Sequence, residues 1–399
     1  MTVIRRIKNI YQPVIVNAAS QWRKSLGGVT RIGVTGSVGK TSTKDFIHAV
    51  LKTKLSGAAS FSTTNNDYSV ARTLIRTRPW HDYCVQEVGA SEPGSLDPAL
   101  NVLRPSIGVL THIGSDHYSG FRGTEGVARE KSKLISILPA DGLAVLNIDD
   151  RQIAAIAKET RVQTLTYGRD TSANIRAMNV RSAFPQCLTF DVLNSDVGDE
   201  AVHVKTKLYG EHMLYSVLAA LAVGTRLGVP LEDGARAIRS VVSEHGRMRY
   251  YETSKGICFI DDSFKASYWS LSAIYEFLNA AEAPRKWLVI GSVSDHTVKP
   301  AKLARRLIEN SGRCADHIVL IGKYTRYMVP ENGVNLFETV AAADRFLHSA
   351  LRPGDLVFVK GIHRRDHLSR LIFSHMREVT CWREDCRLFP PCYTCRHLG

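Results

Sequence analysis

The sequence has no apolar run long enough to cross a bilayer. Its longest apolar stretch, from Met213 to Val223, is also typical of a core helix. The N-terminus is basic but has no small-residue cleavage pattern after an apolar core, so it is a poor signal peptide. We therefore expect a cytoplasmic protein. Residues 1–30 are predicted to form a basic helical segment, which either lies on an acidic membrane surface or, as we favour, packs on the first domain.

Fixed-period repeats, low-complexity linkers and clusters of basic residues interleaved with aromatics are also missing. A nucleic-acid partner is therefore not expected, although the formal net charge is +14. The positive charge instead favours small anionic partners, and nucleotide phosphates together with a carboxylate substrate satisfy it. The 399 residues, 44% hydrophobic and 23% charged, are enough for at least two packed cores.

Short apolar runs alternate with helical stretches, which is the pattern of α/β domains. In the first half, strands are predicted at residues 29–36, 83–88, 107–111 and 143–147, with a smaller antiparallel piece at 174–207. The pattern restarts after Gly246, with strands at 257–260, 287–290, 317–320 and 356–359. We therefore predict an α/β protein in which a domain with a mostly parallel sheet, residues 31–244, precedes a Rossmann-like α/β domain, residues 245–378, and a tail, residues 379–399.

A glycine-rich segment between the first predicted strand and the next helix has the composition of a phosphate-binding loop. It runs Gly33-Val34-Thr35-Gly36-Ser37-Val38-Gly39-Lys40-Thr41 and continues into Ser42. Its backbone N–H groups are expected to surround phosphate oxygens, with Lys40 on the outer phosphates and the Thr41 hydroxyl on magnesium. The pattern GxxxxGK[ST] would place its first glycine at Val34, but here the glycine comes one residue earlier.

The resulting form, GxTGxxGKT, resembles the loop of the Mur ligase family. The segment EVGASEPGSL, which begins at Glu87, and the long segment from Thr111 to Asp150 most resemble the branch that adds D-alanyl-D-alanine to a peptidoglycan precursor. The resemblance covers roughly residues 31–370. It implies an ATP-dependent, magnesium-requiring ligase that activates a carboxylate as an acyl phosphate and joins it to an amine.

The resemblance also implies a magnesium site in the first domain. Glu87 and His117 stand where the family binds magnesium, and Lys131 stands where several relatives carry a carbamylated lysine that supports a second metal. Without the family, Lys131 would be a solvated helix residue, and Lys133 is a neighbour easily confused with it. The segment Thr63-Thr64-Asn65-Asn66-Asp67 resembles an Asn-rich loop that helps to enclose substrate and metal.

Further segments resemble the family's nucleotide contacts. His212 is expected near the adenine, although Met213 and Ser216 replace the two asparagines usual there. In the second domain, Arg247 of the His245-Gly246-Arg247-Met248 segment is expected to reach the ATP phosphates. Together with Lys40, His117 and Lys131, it completes the predicted catalytic set.

Two more second-domain segments have counterparts in the family. Asp262, in the segment Asp261-Asp262-Ser263-Phe264-Lys265-Ala266-Ser267, is expected to meet the ribose, with Lys265 in place of an asparagine. Lys360-Gly361 resembles a late KGS element, although residues 363–366 (HRRD) depart from it. The resemblance therefore implies that the second domain closes over ATP and excludes water from the acyl phosphate.

Two features depart from the family. Only about thirty residues precede the loop, whereas typical members of this branch carry a whole N-terminal domain that binds the uridine nucleotide substrate. The acid and amine substrates therefore stay open. The second feature is the tail, where four of the eight cysteines form the pattern Cys381-x4-Cys386-x5-Cys392-x2-Cys395.

These four tail cysteines suit a structural zinc ion or an iron–sulfur cluster, with a mobile tail of free thiols as the alternative. Cys84, Cys187, Cys258 and Cys314 are expected to be ordinary buried residues. Two other functions remain open beside the ligase. One is an ATP-driven cyclase acting on a cofactor precursor, and the other is a catalytically decayed nucleotide-binding protein whose tail contacts a partner.

Overall fold

The computed structural model describes residues 3–61, 63–115, 118–121, 123–329, 331–384, 386 and 391–399. They form two compact units, the first within residues 1–180, 189–206 and 212–241 and the second within 181–188, 207–211 and 242–399. In the described ranges, none of the helices has the length and apolarity needed to cross a membrane.

The first unit contains a nine-stranded sheet and most of the helices. Its strands are β1 Thr30–Thr35, β2 Gly57–Ala59, β3 Tyr83–Glu87, β4 Ile107–Leu110, β5 Leu143–Asn147, β6 Gln163–Gly168, β7 Ile175–Arg181, β8 Thr189–Asn194 and β9 Val202–Lys205. Its helices are α1 Val3–Trp22, α2 Lys40–Leu51, α3 Asp67–Arg76, α4 Asp97–Leu103, α5 Tyr118–Phe121, α6 Thr124–Ser136, α7 Arg151–Glu159, α8 Leu214–Arg226 and α9 Leu231–Ser240.

The strand order of this sheet is β2-β3-β1-β4-β5-β6-β7-β8-β9. The pairs from β2 to β6 are parallel, and β8 and β9 are antiparallel, so the predicted antiparallel piece is an extension of the same sheet. Every residue of β3, β4 and β5 is buried, as expected for parallel strands covered on both faces. Strand β1 lies between β3 and β4, which brings the carboxyl ends of the three strands to one edge.

The N-terminal helix α1 packs on the first unit rather than standing alone. The indole Nε1 of Trp22 donates a hydrogen bond to the carbonyl of Thr77 at 3.0 Å, and Tyr11 contacts Tyr68 edge to face. Ala19 is fully buried in the core formed around α3 and α4. This is the packing that we favoured over a membrane-surface helix.

The second unit is a six-stranded α/β fold. Its strands are β10 Arg249–Glu252, β11 Cys258–Asp262, β12 Lys286–Ile290, β13 His317–Ile321, β14 Val334–Phe337 and β15 Leu356–Lys360. Its helices are α10 Ser272–Ala280, α11 Pro300–Ser311, α12 Val340–Ala350, α13 His363–Asp366 and α14 Ser369–Ser374. The strand order is β10-β11-β15-β12-β13-β14, with only the β10–β11 pair antiparallel. The predicted second parallel α/β domain is therefore confirmed.

Candidate active site

The glycine-rich segment forms a tight loop between β1 and α2. Backbone N–H of Ser37 donates to the carbonyl of His112 at 2.7 Å, and the Thr111 hydroxyl donates to the carbonyl of Val38 at 2.6 Å. The loop is thus held from the end of β4, while the Val38 side chain at its tip is exposed. Helix α2 begins at Lys40, so its free N-terminal N–H groups and its dipole favour an anion here.

Glycine is required at two positions of this loop. Gly36 has φ 155°, and a Cβ built on it would lie 1.9 Å from the Thr111 hydroxyl oxygen. Gly39, at the start of α2, has φ 81°, a left-handed conformation that other residues adopt at a cost. The loop therefore keeps its backbone open to a ligand, and the Lys40 ammonium lies across it, donating to the carbonyls of Gly36 at 2.7 Å and Ser37 at 3.3 Å.

The predicted magnesium ligands Thr41 and Glu87 are in direct contact. The Thr41 hydroxyl donates to Oε2 of Glu87 at 2.6 Å, and the Asn65 amide donates to Oε1 of the same carboxylate at 3.0 Å. Thr41 is 3% exposed and Glu87 is 2% exposed, so this polar set lies in a dry environment. The Asn-rich loop therefore meets the phosphate-binding loop at the Glu87 carboxylate.

Gly89 makes room for Asn65 in this arrangement. A Cβ on Gly89 would lie 2.5 Å from the Asn65 amide nitrogen, and the Gly89 N–H donates to the Asn65 carbonyl at 3.0 Å. The side chain of the next residue, Asn66, accepts a hydrogen bond from the Ser69 N–H at 3.0 Å and caps the N-terminus of α3. The segment that begins at Glu87 and the Asn-rich segment, residues 63–67, are therefore in direct contact.

Lys131 lies inside the first unit. Its side chain on α6 is 1% exposed, so the interpretation as a solvated helix residue is wrong. Lys133 is the solvated neighbour, and its ammonium lies 2.8 Å from Asp97 and 2.9 Å from Glu130. A buried lysine carries a desolvation cost, which favours a neutral amine or a paired or modified one. Lys131 stands where several relatives of the resembling family carry a carbamylated lysine, and its role as a metal-supporting residue stays a prediction.

The end of β4 carries a second polar group beside the loop. His112 Nδ1 lies 2.8 Å from Oδ2 of Asp150, and the Ile113 N–H donates to the same oxygen at 2.8 Å. Burial raises the pKa of Asp150, but the hydrogen bonds from His112 and Ile113 outweigh it and hold that pKa below its usual value. We did not single out His112 or Asp150 from the sequence, although both lie in the segment that resembles the family. The predicted ligand His117 lies outside the described residues.

His212 and Ser216 occupy different environments in the first unit. His212 is exposed in a short 3-10 turn, Glu211–Met213, that precedes α8. Ser216 is buried, and its hydroxyl lies 3.2 Å from the position that a Cβ on Gly39 would take. Helix α8 therefore supports the start of α2 through Ser216, and His212 is the residue that faces solvent.

In the second unit, the Arg247 and Asp261–Ser267 segments are adjacent. The Gly246 N–H donates to Oδ2 of Asp261 at 3.1 Å, and the Arg247 guanidinium stacks over the Phe264 ring with Cζ 4.2 Å from its centroid. Burial raises the pKa of Asp261 to about 6, although the Ser263 side chain and backbone donate hydrogen bonds to its carboxylate and act in the opposite direction. These contacts hold the Arg247 loop against the end of β11.

Asp262 pairs with Lys360 in the same unit. The two residues are register partners on the parallel strands β11 and β15, and the Lys360 ammonium donates to Oδ2 of Asp262. The ammonium of Lys265, the residue that replaces an asparagine of the family, lies 3.5 Å from Oδ2 of Asp295. The DDS and KG segments, 98 residues apart in the chain, thus form one polar group at the carboxyl ends of neighbouring strands.

Comparisons with known proteins agree with this architecture. A sequence profile described as the Mur ligase middle domain matches residues 34–224. The UDP-N-acetylmuramoyl-tripeptide--D-alanyl-D-alanine ligase of Mycobacterium tuberculosis (strain ATCC 25618 / H37Rv) is 30% identical over 368 residues, which are 84% of this chain and 70% of the relative. The ligase of the same name from Mycobacterium leprae is 29% identical over 379 residues, 84% of this chain and 72% of that protein. The chain belongs to the Mur ligase family.

Solved structures show the same fold. A crystal structure of MurF from Acinetobacter baumannii superposes with a TM-score of 0.82 at 24% identity, covering 92% of this Mur ligase and 81% of that chain. The MurF ligase of Thermotoga maritima, solved in complex with ADP, superposes with a TM-score of 0.75 at 22% identity, covering 87% of this chain and 80% of that one. The predicted fold class and ligase family are therefore confirmed, and this Mur ligase is an ATP-dependent enzyme that forms an amide bond.

The residues of the first unit fit both ligands. Magnesium prefers oxygen ligands, and the Thr41 hydroxyl and the Glu87 carboxylate supply two that are already in contact. The phosphates of ATP require a cradle without side chains, which Gly36 and Gly39 provide, and a cation, which Lys40 provides. The nucleotide-binding and metal-binding roles of the individual residues remain predictions.

The four tail cysteines of the second unit line one cavity together with His367, Arg370 and Leu398. Cys392 is buried, and its sulfur lies 3.2 Å from Nδ1 of His367. Burial raises the pKa of the Cys392 thiol to about 11. Among the other four cysteines, Cys84 and Cys314 are buried as expected, whereas Cys187 and Cys258 are only half-buried.

Proposed function

We propose that this Mur ligase catalyses the reaction in its relatives' names, the joining of D-alanyl-D-alanine to the carboxylate of UDP-N-acetylmuramoyl-tripeptide. The observation that carries the proposed substrates is the 30% identity, over 84% of the chain, to a ligase of that name. The buried contact of Thr41 with Glu87 beside the phosphate-binding loop supports the ATP-dependent activation step. A cyclase or a decayed binding protein has no comparable support.

The first-unit residues have distinct proposed roles. When bound, ATP would supply the phosphoryl group that activates the substrate carboxylate, and magnesium would neutralise negative charge on the phosphates. The loop N–H groups and Lys40 hold the phosphate oxygens, and Thr41 and Glu87 hold the cation. Asn65 fixes the Glu87 carboxylate through its hydrogen bond. Lys131, in carbamylated form, and His117 complete the proposed metal-binding set.

The second-unit residues are proposed to bind the nucleotide. Arg247 is held by the Phe264 ring, so its guanidinium is preorganised for a phosphate. Asp262 accepts from Lys360, which leaves the carboxylate fixed for a ribose hydroxyl. The zinc ion predicted for the tail has no role in this reaction and stays a separate proposal.

The proposal is tested by measuring ADP, phosphate and the condensed product together. UDP-N-acetylmuramoyl-tripeptide, D-alanyl-D-alanine, ATP and magnesium are supplied, and each is omitted in turn, with the product identified by mass spectrometry. We expect one ADP for each new amide bond. Condensation of another acid or amine, with none from these two, would refute the substrates and leave the ligase chemistry intact.

The variant Lys40→Ala tests the nucleotide site in the same assay. We expect turnover to fall by at least about a hundredfold, because the ammonium that neutralises phosphate charge is lost. Lys52→Ala is the matched control, since Lys52 is an exposed lysine at the other end of α2. Equal turnover in the two variants would refute the assignment of the phosphate-binding loop.

A further inference from the structure

The C-terminal segment is folded onto the second unit. The Thr380 N–H donates to the Leu398 carbonyl at 2.8 Å, and Leu398 is 2% exposed. Cys392, Leu398 and Phe373 form a small apolar core against Tyr251 and Tyr393. These contacts show that the described residues at both ends of the tail pack on the second unit, and the state of its thiols is what the test below decides. Its fold brings the tail cysteines to one cavity although up to five residues separate neighbours in the sequence.

The cavity has the size and lining of a metal site. Its volume is about 10 Å³, room for roughly one water-sized particle. Four thiols lining so small a space are the ligand set of a structural zinc site in which four cysteine sulfurs bind the ion tetrahedrally. His367, 2% exposed, touches the Cys392 sulfur and closes one side.

A buried arginine beside the cavity matches the charge of such a site. Zinc with four thiolates carries a net charge of about −2, which is costly to bury without a cation. Arg370 lines the cavity and is 2% exposed, and its guanidinium donates to the carbonyls of Cys381 and Arg383 at 3.0 Å each. It also donates to the His367 carbonyl at 3.1 Å. The same side chain thus supplies positive charge and holds the backbone of a ligand residue.

We propose that the four tail cysteines bind one structural zinc ion as thiolates. Binding releases four thiol protons to solvent and forms four zinc–sulfur bonds, with no change of oxidation state. Through Arg370, the site joins the C-terminal segment to the end of α13, at Asp366 and His367. The zinc ion holds the C-terminal segment on the second unit.

Another group of metal-binding atoms exists in this unit. Single donor atoms of Asp344, His348 and His375 lie within 4.8 Å of one another. However, the two imidazole rings are stacked, with centroids 3.9 Å apart and planes 11° from parallel. Imidazole binds metals through lone pairs in the ring plane, and stacked rings direct these lone pairs side by side. This group is therefore the less suitable zinc site.

The test is the metal content of the full chain purified without oxygen or chelator. We expect about one zinc per chain, and replacement by Co²⁺ should give the intense thiolate-to-cobalt charge-transfer absorption of sulfur ligation. Cys395→Ser should lose most of the zinc, because it removes one of the four proposed ligands, and Cys395 is half-buried, so its replacement disturbs the core less than that of the buried Cys392 would. Cys314→Ser, which changes a buried cysteine elsewhere in this unit, should keep the zinc.

Other outcomes overturn the proposal. Zinc that stays in Cys395→Ser and disappears in His375→Ala would assign the metal to the Asp344 group. Iron with stoichiometric labile sulfide would show that the cysteines bind an iron–sulfur cluster and not zinc. Protein free of metal would show that the thiols bind no metal. The cobalt spectrum of the wild-type chain decides the ligand type even where a cysteine variant fails to fold.

Discussion

Replacing Glu87 by Gln separates the proposed metal role of this residue from its structural role. Gln has nearly the same shape, and it can retain both contacts if the Asn65 amide turns over, so that Gln donates to Asn65 and accepts from Thr41. The neutral side chain also avoids the cost of burying a charge at a position that is 2% exposed. We therefore expect the free energy of unfolding of the ligand-free variant to lie within about 1 kcal/mol of the wild-type value.

The ligand-bound state should behave differently. A ligand present at a hundred times its dissociation constant stabilises the folded state by about 2.7 kcal/mol. For a unit of this size, that corresponds to a rise in unfolding temperature of roughly 5–11 °C. In wild type, part of this rise should depend on magnesium, and in Glu87→Gln the magnesium-dependent part should vanish because an amide is a poorer ligand than a carboxylate.

Thermal unfolding with a non-hydrolysable ATP analogue, with and without magnesium, measures both quantities. Glu92→Gln is the control, because Glu92 is exposed on the segment that follows β3. A Glu87→Gln variant that keeps the full magnesium-dependent rise would refute the metal site. A variant that loses several kcal/mol without ligand would show that the carboxylate is needed for the fold itself.

Two further predictions concern buried ionisable groups. Lys131→Met should abolish turnover while preserving stability, because Met fills a buried position at no charge cost. Lys133→Met should keep turnover in the product assay, but it should lose more stability than the ~1 kcal/mol of an exposed ion pair, because its partner Glu130 is 3% exposed. For Asp261, the pKa of about 6 in the folded protein lies above the ordinary value of 3.8. The stability that protonated Asp261 contributes is therefore fully present below pH 3.8 and is lost as the pH rises to about 6. Above that pH, Asp261 causes no further change in the free energy of unfolding. The loss is at most about 3 kcal/mol, and Asp261→Asn should flatten this part of a stability curve measured by urea unfolding.

Local patterns were sufficient to predict much of the fold and the loop. The strands predicted at residues 83–88, 143–147 and 317–320 are β3, β5 and β13, within a residue or so of their observed ends. Buried parallel strands have continuous apolar runs, and the phosphate-binding loop depends on consecutive residues between one strand and one helix. Both kinds of feature depend on residues that are close together in the sequence.

The burial of Lys131 had a sequence pattern that we did not use. In α6, Val127, Lys131 and Ile135 are four residues apart and share one helix face, and both apolar members are buried. Lys133 falls on another face with its acidic partners. Helical periodicity therefore distinguishes the two lysines once the apolar face is identified, which single-residue propensity does not do.

Contacts between distant segments required the structure. Asp262 meets Lys360 because β11 and β15 are neighbours in the sheet, an order that the sequence does not specify. The four tail cysteines suggested a shared ligand, but not that His367 and Arg370 line the same cavity, because these two residues lie outside the cysteine pattern. Pairs formed by tertiary packing have no local pattern to predict them.

The departures from the family fall outside the metal-binding set of the first unit. Met213 and Ser216, which replace the expected asparagines, are buried in the packing of α8, and Ser216 lies beneath Gly39. A protein that had lost its catalytic function would have no physical need for the buried contact of Thr41 with Glu87, because an unused buried carboxylate only costs desolvation. The changes at Met213 and Ser216 therefore bear on the proposed adenine contact, while Lys40, Thr41 and Glu87 keep the side chains that we propose for binding phosphate and metal.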